Sequence, residues 1–549
     1  MFLTPVPLRK DNKNMTDLSK FSLIFPDEES QGRYLSGSSK PNISAFVLEE
    51  LGLSEIFRLK NSRLEEFFTT DPAVIAHRNE VFGDMIEFPE ISATLNKLIP
   101  ILTDIMELRR LESDSGDTES YLESITEIEL YISSISTLYE GLAPIADKLK
   151  SRAFLTLAAH ISELVNSEYY SELNRKLGEL TNRVRDIRSV TIGVNLDAQL
   201  RPSSAGVLSI NPEPFRSGDM IDKILRLNFK DDEYTCIADL VPFGKKQSEN
   251  QKTALAYAFN SAINDVYRQS LRSWKKIVQA YVLENTDFLL NLMPEIEFLV
   301  KGTLLLRYLR SRELPLCTPT VATDRVVFRA TGIYNPCVAV KVDDEIIPND
   351  LDFDSDGALI FVLTGPNRGG KSVISCAMGL TQAMMQLGMF VPAESAEISI
   401  ADGIFTHFPT GADDTIDKGR LGEECARLND IFEQVTQKSL VLLDESLSST
   451  GSYEASYIAA EVLAGFSRVG CRTLFCTHLH ELASEIDNIN ARTSPDGGVL
   501  IDTLVAGIEE GKRSFKIHRM KPDGKSYARD IADKYGITYE NIVKNIKKA

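Results

Sequence analysis

The segment Gly365–Ser372, GPNRGGKS, fits the spacing G-x-x-x-x-G-K-[ST]. An apolar run, ALIFVLT, precedes it and a helical pattern, SVISCAMGLTQAMMQLG, follows. That context matters because a strand–loop–helix turn aims backbone N–H groups at an anion lying on the helix N-terminus. Glycines let such a loop curl close to its ligand. Lys371 would bring a cation to the β- and γ-phosphates of ATP, and Ser372 would offer a hydroxyl to Mg²⁺. The residues expected to cradle nucleotide are Gly365, Pro366, Asn367, Arg368, Gly369, Gly370, Lys371, Ser372 and Val373.

Two further segments supply what a phosphate loop lacks. In SLVLLDES, apolar residues end in Asp444 and Glu445. A buried parallel strand delivers such a pair to its C-terminal edge, where ligands bind in open α/β sheets. Asp444 is expected to hold Mg²⁺, and Glu445 to orient or deprotonate the attacking water. In RTLFCTHLHELA another apolar run leads to His478, whose imidazole could sense the γ-phosphate or position water. Catalysis is thus assigned to Glu445, His478 and Lys371, and metal binding to Ser372 and Asp444.

From about residue 319 the chain alternates strand and helix patterns. VFRATGIY, AVKV, ALIFVLT, SLVLLDE and RTLFCTH read as strands, and ASYIAAEVLAGFSRVG as a helix. This predicts an α/β sheet covered by helices. Residues 46–185 read as helical, with only Pro144 between Pro100 and Pro202. Leu173, Leu177, Leu180, Val184 and Ile187 form a coiled-coil-like stripe near its end. Within 186–249, SVTIGVNLDAQLRPSSAGVLSINPEPF is rich in β-branched residues, Gly and Pro, as strands and turns are, and the region is expected to be β-rich. From residue 250 a helical face returns through Phe259, Ile263, Val266, Trp274, Ile277 and Tyr281, up to about 318. The pattern describes a long helix out, a β-rich tip and a long helix back; a helical bundle with a β insertion is the other arrangement it allows. Residues 1–45 carry no clear pattern.

The 549 residues are enough for roughly three or four domains. A net charge of −19 argues against a nucleic-acid coat but leaves room for a local basic surface. Seven scattered cysteines without a CxxC pair read as reduced thiols rather than a zinc site or disulfide framework. No run is long and apolar enough for a membrane span or signal peptide, so a cytoplasmic location is expected.

In this order and spacing, the three segments resemble the MutS family of DNA mismatch-repair ATPases, a branch of the ABC-type P-loop ATPases. The resemblance extends through Asn335–Val340, Ile346–Asp354, Gly388–Asp414 and Gly524–Ile537, and more loosely back to DPAVIAHRNEVFGDM. It implies a helical core and lever region with a small β-rich clamp insertion, followed by a C-terminal P-loop ATPase domain at 319–549 with a helical dimerisation segment. It also implies a homodimer with composite ATP sites, closing around double-stranded DNA. Pro348, Asn349 and Asp350 match the family segment near the adenine, which adds Asn349 to the nucleotide-binding set.

Two departures qualify the resemblance. The family signature places Ser-Thr after Gly-Arg, where a hydroxyl meets the partner's γ-phosphate. Here, within Asp417–Leu428, Leu421 and Gly422 follow Gly-Arg, as in shorter bacterial MutS-like proteins. SLSSTGS likewise replaces a Gly-rich turn after Glu445. At the front, the mismatch-reading domain with its Phe-x-Glu wedge is not recognisable. Phe88-Pro89-Glu90 has the letters but lies in a helical segment. The expected function is therefore an ATP-hydrolysing DNA clamp in repair or recombination, acting on branched or damaged duplex rather than through a mismatch wedge. Arg268, Arg272, Lys275 and Lys276 are candidate phosphate contacts or a solvated basic face. The alternatives are an ATP-gated signalling dimer with little turnover, motivated by Leu421, and a conformational ATPase acting on a protein partner, motivated by the net charge.

Overall fold

A computed structural model of the chain describes residues 21–549 except 61, 115–120, 186–188, 200–201, 212–215, 218–234, 237–285, 355–356, 367, 410–419, 448–449, 510–511, 522–534 and 547–549. Much of the expected clamp and the outer part of the returning helix lie outside the described residues, with Arg268, Arg272, Lys275, Lys276 and the face Phe259–Tyr281. The chain forms two compact units. One contains Glu90–Leu149 and Phe154–Met293; the other joins Ser22–Pro89, Lys150–Ala153 and Pro294–Ala549.

The first unit is built from long helices. Pro89–Asp114 and Tyr121–Leu142 bring Leu95, Leu102, Ile105, Ile128, Tyr131 and Ile135 into its core, where Phe154, Leu157 and Ile161 join them. Close helix packing is visible at Gly141, where a Cβ would lie 1.9 Å from the Thr94 hydroxyl. The helix leading to the β region is Glu168–Arg185, 18 residues long. This is about 27 Å at 1.5 Å per residue, shorter than the long outgoing helix expected. The break comes at Ser167, whose hydroxyl accepts from Tyr170 N at 3.1 Å and starts a new helix. Of the predicted stripe, Leu173 and Leu177 are buried, and Ile187 lies outside the described residues. Beyond the helix, β1 (Ser189–Leu196) and β2 (Pro202–Asn211) pair antiparallel, and the short β3 (Arg216–Ser217) and β4 (Thr235–Cys236) pair parallel.

The second unit carries two sheets. A four-stranded sheet orders β5 (Thr320–Ala322), β9 (Ser395–Ser399), β6 (Val327–Ile333) and β7 (Asn349–Asp354). The six-stranded sheet orders β10 (Ile404–His407), β11 (Leu440–Asp444), β12 (Arg472–Cys476), β8 (Ala358–Thr364), β13 (Leu500–Glu509) and β14 (Lys512–Arg519). All neighbours in it are parallel except the β13–β14 hairpin. Every residue of β8, β11 and β12 is buried, as continuous apolar runs covered on both faces should be. Fully buried Arg472 donates to Gln382 Oε1 and the carbonyls of Val327, Ser399 and Lys438.

One strand expectation is corrected. Ala339–Val342, AVKV, is not a strand; it lies in and just after the helix Pro336–Lys341. Asn335 Oδ1 accepts from Cys337 N and Val338 N, and Pro336 occupies the first turn. This cap overrides the β-branched composition.

Candidate functional site

Register decides what meets at the sheet edge. Asp444 is paired with Cys476, and Cys476 with Leu363. The ends of β11, β12 and β8 are therefore level, and the residues just beyond them, Glu445, His478 and the Gly365 loop, converge. Central β8 is followed by distant β10, then β11 and β12 return toward it before β13 adds to the other side. The loop after β8 thus sits where the strand order reverses, the crevice open parallel sheets offer to ligands.

Within the loop, Gly365 has φ 144° and Gly370 has φ 93°, conformations that suit glycine. Arg368, at φ 60°, is exposed, and Asn367 lies outside the described residues. Gly370 precedes the helix Lys371–Gln386. Lys371 is buried and folds back on its own loop, donating to Gly365 O at 3.2 Å and Pro366 O at 3.3 Å. Its Nζ also lies 3.5 Å from Glu445 Oε1. The other oxygen, Glu445 Oε2, contacts His478 Nδ1. The three residues assigned to catalysis thus form one chain of contacts.

Asp444 lies deeper. Burial raises its carboxyl above the ordinary Asp value; the Ser372 hydroxyl hydrogen-bonded to it opposes the rise, and the Glu445 charge adds to it. Its Oδ1 is buried and has no hydrogen-bonding partner among the described residues. A buried carboxylate oxygen lacking a donor, beside a hydroxyl, suits a hard cation. Among the described residues no cluster of three or more His, Cys, Asp or Glu could hold a metal by itself. Mg²⁺ is ordinarily held by one or two carboxylates together with substrate phosphate and water.

A cavity of ≈810 Å³ opens over the loop. Arg368, Gly369, Gly370, Lys371, Ser372, Val373, Asn349, Glu445 and His478 line it, together with an apolar wall including Tyr334, Val338, Ile346 and Phe515. Asn349 borders the cavity, but its amide is engaged: Nδ2 donates to Phe515 O at 3.1 Å and Oδ1 accepts from Ile517 N at 2.7 Å. Pro348 O accepts from Lys516 Nζ, and Asp350 Oδ1 from Gly332 N. The segment anchors the β13–β14 hairpin.

What it positions is Phe515, which was not singled out from sequence. Its φ is 56°, unfavourable for a residue with a Cβ, and its side chain is 45% exposed. A Cβ on Gly370 would lie 3.6 Å from its ring, so the ring stands over the start of the phosphate-loop helix. An aromatic residue inside a short strand is an ordinary pattern, and nothing in the sequence separates this one from a core position.

Comparison with known proteins matches two stretches of the chain. Residues 361–526 match the model for MutS domain V, and residues 70–312 match that for the MutS2 N-terminal domain. The two matches together cover well over half of the chain. The chain belongs to the MutS family. Relatives named DNA mismatch repair protein MutS include one from Roseiflexus sp. (strain RS-1), 36% identical over 221 residues, 39% of this chain and 19% of the relative. Another, from Chloroflexus aurantiacus (strain ATCC 29366 / DSM 635 / J-10-fl), is 36% identical over 232 residues, 41% of this chain and 23% of its own. A third, from Lactobacillus delbrueckii subsp. bulgaricus (strain ATCC BAA-365 / Lb-18), is 33% identical over 222 residues, 39% and 26% respectively. The matched stretch spans about a fifth to a quarter of these relatives.

The places where this MutS-family chain departs from the family pattern have structural counterparts. Leu421 stands in the first turn of the helix Arg420–Phe432 and packs against the apolar core beneath the sheet. Asp417–Gly419 of that segment lie outside the described residues. Leu447 has φ 65° and a fully buried side chain in the same core. A glycine would adopt this turn without strain; here burial of the leucine offsets the backbone cost. Phe88 caps the C-terminus of the helix Pro72–Glu87, and Pro89 and Glu90 are the first residues of the helix Pro89–Asp114.

Proposed function

We propose that this chain binds and hydrolyses ATP with Mg²⁺ at the C-terminal edge of its six-stranded sheet, and that the ATP cycle governs its hold on double-stranded DNA. The observation that carries the reading is the meeting of Lys371, Glu445 and His478 on one side of the phosphate loop with the Ser372–Asp444 pair beneath it. The relatives' name, DNA mismatch repair protein, supports DNA as the partner. We take the acting form to be a cytoplasmic homodimer, its DNA branched or damaged duplex, and its recognition independent of a mismatch wedge.

The loop amides from Gly365 to Ser372 would receive the triphosphate. Lys371 would leave the Gly365 and Pro366 carbonyls for phosphate oxygens, exchanging neutral acceptors for anionic ones. That movement frees Glu445 Oε1 to accept a proton from water, while His478 keeps Oε2 oriented. Ser372 and Asp444 would hold Mg²⁺, which supplies charge neutralisation along the phosphates when bound. Phe515, with Ile346 and Val338, would cover the base.

Leu421 favours a second reading. A side chain committed to its own subunit's core offers no hydroxyl to a partner's γ-phosphate, so transition-state stabilisation across the dimer is weaker. The second reading is an ATP-gated dimer with little turnover. Hydrolysis by purified protein, alone and with linear, mismatched and four-way DNA, separates the two. DNA-stimulated turnover that disappears in Lys371→Ala supports the clamp ATPase; turnover indifferent to every DNA removes it. Nucleotide binding with no phosphate release in a single turnover selects the gated dimer.

A further inference from the structure

The two residues flanking Ser446, Glu445 at φ 47° and Leu447 at φ 65°, both have left-handed backbones. A turn so conformed needs an external hold, and His407, the last residue of β10, provides it. His407 Nδ1 and Ser446 Oγ are 2.8 Å apart, and Ser446 Oγ is also 3.1 Å from the His407 carbonyl oxygen. On the far side of the same ring, Nε2 lies 3.2 Å from Glu424 O, in the helix Arg420–Phe432. His407 and Ser446 are buried, at 2% and 4% exposure, and Glu424 is half-buried.

Burial, with the nearby Arg427 charge, pushes this imidazole down to about 4, so it is neutral at ordinary pH. A neutral ring has one donor and one acceptor. In one tautomer Nε2–H donates to Glu424 O, and Nδ1 accepts the Ser446 hydroxyl proton. In the other, Nδ1–H donates to Ser446 Oγ, whose proton goes to His407 O, and the bare Nε2 faces the Glu424 carbonyl oxygen. Two acceptors at that distance repel, so the second tautomer suits only a helix carbonyl that has moved away. The Ser446 hydroxyl therefore points in a direction that depends on whether the helix is in contact.

We propose that His407 is a positioning residue that links the helix Arg420–Phe432 to the turn presenting Glu445, through Glu424 O on one nitrogen and Ser446 on the other. The inference rests on the reading of Glu445 as the group that orients water. It assigns a route from the family signature segment to hydrolysis that uses main-chain and imidazole contacts. It needs no hydroxyl at position 421. Displacement of the helix, by a partner molecule or by DNA, would reach Glu445 through one ring.

The test uses the full chain and two near-isosteric substitutions. His407→Asn keeps a polar group near the Nδ1 position and loses the helix contact. His407→Gln keeps one near Nε2 and loses the Ser446 contact. Hydrogen exchange of the protein without nucleotide should then divide: Asn speeds exchange in 420–428 and spares 445–447, and Gln does the reverse. Single-turnover ATP hydrolysis should fall about tenfold or more in both, as small misplacements of reacting groups do. The dissociation constant of a fluorescent ADP analogue should change less than about twofold, since such a loss belongs to the transition state alone. Adding Ser446→Ala to His407→Gln should cost almost nothing further. Identical exchange changes in the two variants, or nucleotide affinity falling in step with rate, overturns the coupling. Absence of nucleotide binding by the unaltered protein would instead overturn the proposed function and leave the exchange result standing by itself.

Discussion

Replacing Gly365 with alanine tests the phosphate loop at its tightest point. A Cβ built there would lie 2.7 Å from Ala506 Cβ, 3.1 Å from Ala506 N and 3.3 Å from Ala506 Cα. Carbon atoms rest about 3.5–4.0 Å apart, so every one of these contacts is compressed. The obstacle is main chain, not a flexible tip. Ala506 follows Val505, which pairs with Thr364 in the β13–β8 ladder. Retreat would therefore loosen the ladder that sets the loop. The native φ of 144° adds backbone strain of roughly 1–3 kcal/mol for a residue with a Cβ, and overpacking adds about 1–3 kcal/mol. The expected destabilisation is about 2–6 kcal/mol, or roughly 4–24 °C in the melting of the sheet unit at about 2–4 °C per kcal/mol. Nucleotide affinity should fall more than stability alone explains, because the displaced amides are the proposed phosphate ligands. Differential scanning fluorimetry with and without ADP–Mg²⁺ reads both effects. A companion change, Ala506→Gly, removes the Cβ–Cβ contact but not the φ strain, so it should restore part of the melting temperature. A Gly365→Ala protein with unchanged melting and unchanged ADP stabilisation would refute the steric argument, and the reading of the loop with it.

Other outcomes follow from the same geometry. Glu445→Gln should retain nucleotide binding while single-turnover hydrolysis falls by about 10²–10⁴, as loss of a general base does; a near-normal rate would remove Glu445 from that role. Phe515→Gly should relieve about 1–2 kcal/mol of left-handed strain yet weaken binding of a fluorescent ADP analogue by roughly tenfold or more, through the lost ring. Unchanged affinity would place the base elsewhere. Glu295 is half-buried, accepts from Ser22 Oγ and Leu23 N, and has its carboxyl pushed up by desolvation to about 7. A carboxyl raised on folding binds protons more tightly in the folded state. Its stabilisation is complete below the unfolded value and is lost as pH rises through about 7. Chemical denaturation from pH 4.5 to 7.5 should show that decline, and Glu295→Gln should flatten it; an equal slope in both proteins would show the decline has another origin.

The proposed chemistry is read from residue types that have few other uses in that spacing. A loop with Gly365, Gly369, Gly370, Lys371 and Ser372 between an apolar run and a helix has little else to do than hold phosphate. The apolar runs ending at Asp444 and Cys476 are buried strands because covered parallel strands cannot alternate. AVKV misled for a local reason: β-branched residues favour strands only until a neighbouring Asn-Pro cap starts a helix. The segment 22–89 packs in the unit that contains the two sheets, far along the chain, and no periodicity announces that. Fully buried Arg78, reaching the carbonyls of Ile24 and Phe67, is part of what holds it there.

The sequence by itself supplied the functional groups on which the proposed ligand chemistry rests: an amide cradle, a cation, a hydroxyl and paired acids, each read from what its functional group can do. Only the tertiary structure decided which groups touch. Strand register set Asp444, Cys476 and Leu363 in line, hairpin anchoring brought Phe515 over the loop, and packing placed His407 between Ser446 and Glu424. Contacts between residues distant in the chain arise from burial and register, which depend on the whole sheet being assembled and leave no mark in local spacing.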